Sequence, residues 1–139
     1  RLVSVAELEA RKQRLQAKQE VIDTAFARAL EKLNSLPVEK YSEVLADMIV
    51  GSIKSGDEEI IVSPKDRDRL GENFIHKVNK QLETKRAIKG KIKLSDESRN
   101  INGGFILKTG NVEVNNSFET IIKMKRDELE SEVVKVLFG

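Results

Sequence analysis

Five carboxylates gather in two short stretches, Asp57, Glu58 and Glu59, then Asp66 and Asp68. Paired carboxylates could divide general-acid and general-base work. That chemistry needs a nucleophile or a basic partner in reach, and no such residue accompanies either stretch, so both read as solvated charge. The one histidine, His76, falls between Ile75 and Lys77 on an expected helix, with no cysteine in the chain and no second histidine to share a metal. It reads as a surface or boundary residue. Gly103-Gly104 would suit a phosphate cradle if a strand led through it into a helix, with a Lys or Ser/Thr close behind. Here the pair leads into an apolar strand pattern, which points to a bend or a close backbone approach. Lys85, Arg86, Lys89, Lys91 and Lys93 form a basic run that supports an alternative function, a small RNA-binding α+β module. No aromatic residue interleaves the run, and aromatics are only 4% of the chain, so bases have little to stack on. A solvated face, or a patch for an acidic partner protein, fits the run better. The expectation is therefore no enzyme, no catalytic or metal-binding residue, no cofactor and no direct contact with nucleic acid.

Composition agrees. Charged residues make up 35% of the chain but nearly cancel, 25 Lys plus Arg against 23 Asp plus Glu, so no strong single-sign field attracts a polyanion. No apolar run approaches the roughly 18 residues that a membrane span needs. The absence of cysteine fits an intracellular protein. The chain opens at Arg1 in the middle of a helical pattern, and we expect it to be a fragment of a longer helix-bearing protein.

Residues 2–33 contain no Gly and no Pro and are dominated by Ala, Leu, Glu, Lys, Gln and Arg, which predicts one helix about 50 Å long. Leu8, Leu15 and Ile22 recur every seven residues, while Leu15 to Phe26 and Ile22 to Leu33 are each eleven apart, leaving the supercoil hand open. The apolar stripe is narrow, as in a coiled-coil seam, and a lone helix of this kind is marginal in water. It needs a partner helix or its own domain to lie against. Pro37 ends the pattern, and a second helix runs to about residue 53 with Tyr41, Leu45, Met48 and Ile49 on one face. Ile60, Ile61 and Val62 predict a strand buried on both faces. Ser63 then offers an N-cap, Pro64 the first helical position and Asp66 the third, opening a helix expected to continue to about residue 82. Ile92 and Leu94 alternate with lysines as a half-exposed strand, and the polar residues 95–102 read as a loop. Two strands flank Gly110-Asn111, a hairpin dipeptide with positive φ values. A last helix is capped by Asn116 or Ser117, with Glu119 at its positive end and an inner face of Ile122, Leu129, Val133, Val136 and Leu137. The fold class is α+β: a long N-terminal coiled-coil-type helix over residues 1–36, then a small domain over 37–139 with a four-stranded mixed sheet packed by helices.

The order of these pieces, with Gly103-Gly104-Phe105, Asn116-Ser117-Phe118-Glu119 and Leu137-Phe138-Gly139 in place, resembles the E subunit of the vacuolar and archaeal-type rotary ATPases, a peripheral-stalk protein. The resemblance covers essentially the whole chain. Many members carry an Arg two residues after the Glu of the second motif, where this chain has Ile121. The resemblance implies a stator subunit of a proton- or sodium-translocating ATPase that has no active site of its own. It implies a cytoplasmic location, peripheral to the cell membrane and touching it only through the complex. The implied partners are a second stalk helix, the G subunit or its archaeal equivalent, paired with this one as a heterodimer, and the nucleotide-binding subunits of the catalytic head. The implied interface is a helical seam of Leu8, Leu15, Ile22, Phe26 and Leu33, with Gly103, Gly104, Gly110, Asn111, Asn116, Glu119, Leu137, Phe138 and Gly139 as structural motif residues.

Overall fold

The computed structural model describes residues 2–139, and side chains from Ser4 onward. Helix α1 spans Leu2–Asn34, an unbroken run of helix formers that stops where Pro37 fixes the backbone. Helix α2 follows at once over Val38–Ser52, strand β1 is Glu59–Val62, and helix α3 is Pro64–Leu70. The Ser63 hydroxyl caps α3 by accepting from the Asp66 amide at 3.1 Å. The remaining elements are α4 (Asn73–Arg86), β2 (Lys93–Ser98), β3 (Gly104–Thr109), β4 (Val112–Ser117) and α5 (Phe118–Phe138).

The four strands form one mixed sheet in the order β2-β1-β3-β4. Strand β1 runs parallel to β2 and antiparallel to β3, and β3 is antiparallel to β4. The central place of β1 explains its composition, since Ile60, Ile61 and Val62 are all fully buried. On one face of the sheet Tyr41, Leu45, Ile49 and Ile53 of α2 and its end, with Phe74, Val78 and Leu82 of α4, pack against Ile60, Val62, Phe105 and Leu107. Helix α5 returns along α1, with Phe118 held near Asn34 at Gly103, Arg126 beside Asp23 and Phe26, and Phe138 under Lys18. The two helices are therefore antiparallel.

Four expectations need correction. The helix expected over 64–82 is two helices, because Gly71 takes a φ of 79° and breaks the run. Ser95 to Ser98, expected as loop, belong to β2, where pairing to β1 overrides weak local propensity at a sheet edge. The hairpin has positive φ only at Gly110, at 60°, so its turn has the backbone of a II′ type. On α5 only Phe118 is fully buried: Leu129 and Leu137 are exposed and Val136 is 83% exposed, because the helix lies against one other helix and not across the sheet.

Helix α4 ends at Ala87, the one non-glycine residue with a left-handed backbone among the described residues, φ 53°. Ala87→Gly should relieve that strain and raise stability by about 1 kcal/mol, read as a higher denaturation midpoint at unchanged slope.

Candidate functional site

On α1 the seam residues divide. Leu8 and Leu15 are more than 60% exposed, whereas Ile22 and Phe26 are buried and Leu33 packs onto the domain core. The cause is α5, which lies on the second half of α1 and ends near Lys18, whose ammonium sits 4.9 Å from the centre of the Phe138 ring. Arg126 of α5 closes the contact, paired with Asp23 and stacked 5.0 Å over Phe26. N-terminal to that contact, Val5, Leu8 and Leu15 keep an apolar stripe in solvent on an otherwise charged helix.

The other end of α1 is fastened to the domain at Gly103-Gly104. Both glycines have positive φ, 82° and 80°. The Gly104 amide donates to the Tyr41 hydroxyl at 3.1 Å, and that hydroxyl donates to Asp66 Oδ2 at 2.5 Å. Asp66 Oδ1 pairs with Arg69 at 2.9 Å, and the Arg69 guanidinium lies 3.7 Å over the Tyr41 ring. Arg69 Nη1 also donates to the Asn34 carbonyl at the last residue of α1, 2.9 Å away. The Asn34 amide group in turn donates to the Asn102 carbonyl at 3.1 Å, and Glu119 accepts from the Asn102 amide at 2.7 Å. Phe118 completes the joint, donating its amide to the Gly103 carbonyl and meeting the Tyr41 ring edge-on at 5.9 Å. Five elements thus meet at one point: the end of α1, then α2, α3, β3 and the start of α5. Burial, helped by the bond to Asp66, pushes the Tyr41 hydroxyl up to about 12, so it stays a neutral donor throughout the physiological range.

Nothing in the spacing of these residues marks them as a cluster. Tyr41 reads as one more member of an apolar helix face, and Asp66 as a residue of a helix start. A signal was present, because a tyrosine placed in a core needs a partner for its hydroxyl, and a carboxylate is the strongest one at hand.

The remaining motif residues have local tasks. Gly110 and Asn111 form the hairpin turn, Asn116 lies opposite Phe105 in the sheet, and the Gly139 amide closes α5 on the Lys135 carbonyl at 3.1 Å.

Of the residues that could do chemistry, Asp57, Glu58 and Asp66 have structural partners. Glu58 is buried at 3% exposure and accepts from the amides of Lys54 (2.8 Å) and Gly56 (2.7 Å) and from the Ser55 hydroxyl (2.8 Å), tying the turn after α2. Burial alone would raise its pKa; the Lys54 amide, the Ser55 hydroxyl and the Gly56 amide outweigh it and hold the carboxyl down at about 2. The stabilisation from this depressed value is complete above the ordinary value of 4.5 and is lost as pH falls from there towards 2. Glu58→Gln should lower stability by about 2 kcal/mol at pH 7 and flatten the acid limb below pH 4.5, checked by urea melts across pH.

Of the basic run, Arg86 donates to the carbonyls of Val50 and Ile53, closing the end of α2, and Lys85 faces Asp47 at 3.7 Å. Lys91 and Lys93 share a shallow surface with Asp57 and Glu59. The run is partly consumed and partly neutralised. Among the described residues, no three His, Cys, Asp or Glu gather as a metal site would require.

What distinguishes the chain is a half-exposed helix fixed at one end to a small domain. The family model described as ATP synthase (E/31 kDa) subunit matches residues 1–138. The E subunit of the V-type ATP synthase of Acetivibrio thermocellus is 60% identical over 107 residues, which are 77% of this chain and 54% of that protein. The E subunit of the V-type ATP synthase of Clostridium botulinum (strain Hall) is 43% identical over all 139 residues, 69% of its own length. The E subunit of the V-type proton ATPase of Thermoanaerobacter pseudethanolicus is 44% identical over 127 residues, 91% of this chain and 63% of that protein. The chain thus spans between about half and two thirds of these relatives. With the family model matching nearly every residue, the chain belongs to the ATP synthase (E/31 kDa) subunit family.

Proposed function

We propose that this chain is a non-catalytic peripheral-stalk subunit of a V-type or archaeal-type ion-translocating ATPase, a stator that ties the catalytic head to the membrane sector. Residues 1–36 act as the stalk helix and residues 37–139 as the unit that docks on the head. When ion flow or ATP hydrolysis turns the central rotor, the head spins with it unless a rigid strut resists. A strut needs length, stiffness and anchored ends, and needs no active site.

The observation that carries this reading is the division of α1. Its second half is locked to α5 and to the Gly103-Gly104 joint, while Val5, Leu8 and Leu15 leave an apolar stripe in solvent. A stripe that narrow buries well only in the seam of a coiled coil, so its partner is a second stalk helix, the G subunit or its archaeal equivalent. The nucleotide-binding subunits of the head are the second partner. As part of this complex the chain works on the cytoplasmic side, peripheral to the membrane; none of its described helices is long and apolar enough to cross it.

The test is affinity capture of the chain from its own cells after mild crosslinking. Recovery of a second stalk helix together with head subunits is the expected result, and the purified chain alone should turn over no ATP. Recovery of RNA-associated proteins in their place, or ATP turnover that follows the pure chain, would overturn the proposal. Leu8→Glu with Leu15→Glu should cut recovery of the stalk helix at least ten-fold while leaving the free chain's melting temperature unchanged, since both residues lie in solvent there.

A further inference from the structure

The two edges of the sheet are treated differently. At the β2 edge, side chains occupy the outer backbone groups. Arg67 donates to the carbonyls of Ser95 and Glu97, and Asn79, just before the strand, both donates to the Ile92 carbonyl (3.1 Å) and accepts from its amide (2.8 Å). Charged Lys93, Asp96 and Glu97 and a slip of register against β1 guard it further.

The β4 edge has none of this. Its pairing to β3 is regular from Thr109↔Val112 to Gly104↔Ser117, without bulge or proline. The two-residue turn makes Thr109–Val112 a hydrogen-bonded pair, so Val112, Val114 and Asn116 bond inward to β3 while the N–H and C=O of Glu113 and Asn115 point outward. The Gly104 amide agrees with that phase, since it bonds Tyr41 and not the opposite Ser117. Among the described residues no side chain bonds to the backbone of 112–115. Exposed edges of this kind are ordinarily blunted, and this one carries a single acid, Glu113, already held by Arg99 at 2.8 Å on one face.

The opposite face is apolar. Val114 stands across from Leu107 and Val112 from Thr109, on the side of the sheet that α2 and α4 cover. That helical layer stops at β3, leaving Val112 65% and Val114 50% exposed beside a core whose neighbouring residue, Leu107, is buried.

We infer that the free edge of β4 takes an extended segment of another subunit of the same assembly as a fifth strand. This rests on the stator reading. The segment that fits is four to six residues long, paired to the outward groups of Glu113 and Asn115, with apolar side chains beside Val112 and Val114 and uncharged polar ones on the face of Glu113, whose charge Arg99 already neutralises. Backbone pairing holds the segment, and the two valines set its register. The hairpin tip lies at the end of β3 away from the joint that fixes α1, so a strand added there engages the domain without disturbing the stalk helix.

Amide hydrogen exchange of the isolated chain and of the purified ATPase complex tests this. The Glu113 and Asn115 amides should exchange at least ten-fold more slowly in the complex, while those of Val112 and Val114, already bonded to β3, change little. Val114→Lys should fold with an unchanged circular dichroism spectrum and lose that added protection. A chain present in the complex whose Glu113 and Asn115 amides exchange at the free rate overturns the inference and leaves the stator reading standing. A chain absent from the complex overturns both. Protection that rises with concentration in the isolated chain, together with dimers in sedimentation, would make the occupant a second copy of this chain and would equally overturn the proposal.

Discussion

Gly104→Ala is expected to lower the unfolding free energy by about 4 kcal/mol, a large share of the 5–15 kcal/mol typical of a domain. Two effects add. The backbone at Gly104 has φ 80°, which an L side chain adopts at a cost of about 1–2 kcal/mol. The new Cβ would also stand 2.5 Å from the Asn116 carbonyl oxygen, 2.8 Å from Ser117 Cα and 2.9 Å from the Phe118 amide nitrogen. All three are backbone atoms of the paired strand and the helix start, so relief means moving β4 or α5, at about 1–3 kcal/mol more. Gly51 supplies the control, because a Cβ there meets nothing within 4 Å and the residue is helical, so Gly51→Ala should stabilise by about 0.5–1 kcal/mol. Urea melts of the two variants should differ in sign; a Gly104→Ala loss under 1 kcal/mol would show that the joint is soft.

Arg69→Met is expected to cost a similar amount, about 4 kcal/mol, because it leaves the carboxylate of Asp66, 1% exposed, without its counter-charge. It also removes the cation over the Tyr41 ring and the donor to the Asn34 carbonyl. Methionine keeps the length and apolar stem, so the loss reports charge and hydrogen bonding and not volume. Adding Asp66→Asn should recover part of the loss, since the amide no longer buries a charge; a double variant no better than the single would refute that account. The same cluster governs the alkaline limb. The Tyr41 hydroxyl is raised from 10 to about 12, so its stabilisation is complete below pH 10 and disappears as pH climbs towards 12. Tyr41→Phe should remove that dependence while leaving the acid limb set by Glu58.

These two residues differ in how visible they are before folding. The Gly103-Gly104 pair stands out in the chain, and its place before an apolar strand already disfavours a phosphate cradle. Arg69 does not stand out, one of 25 basic residues on a short polar helix. Its importance comes from where α3 sets it, over Tyr41 and against the last carbonyl of α1. Local signals failed in the same way elsewhere. Residues 95–98 lack β propensity but pair with β1 because a neighbouring strand edge was available. Val136 and Leu129 follow a helical stripe yet lie in solvent, because α5 found only α1 to pack on.

Composition and periodicity were sufficient for the α+β class, the long opening helix, the doubly buried apolar strand, the Ser63 cap, a cap at Asn116 or Ser117 and the hairpin at Gly110, since each follows from short-range sterics, capping or the period of apolar residues. Folding in three dimensions set the rest: which half of α1 is shielded by α5, how Tyr41, Asp66, Arg69 and Asn34 converge on two glycines, and which sheet edge stays bare. Those outcomes depend on contacts between residues more than a hundred positions apart, as in Arg126 with Asp23, 103 positions away, and the pairing of distant side chains leaves no period or spacing in the chain that could announce it.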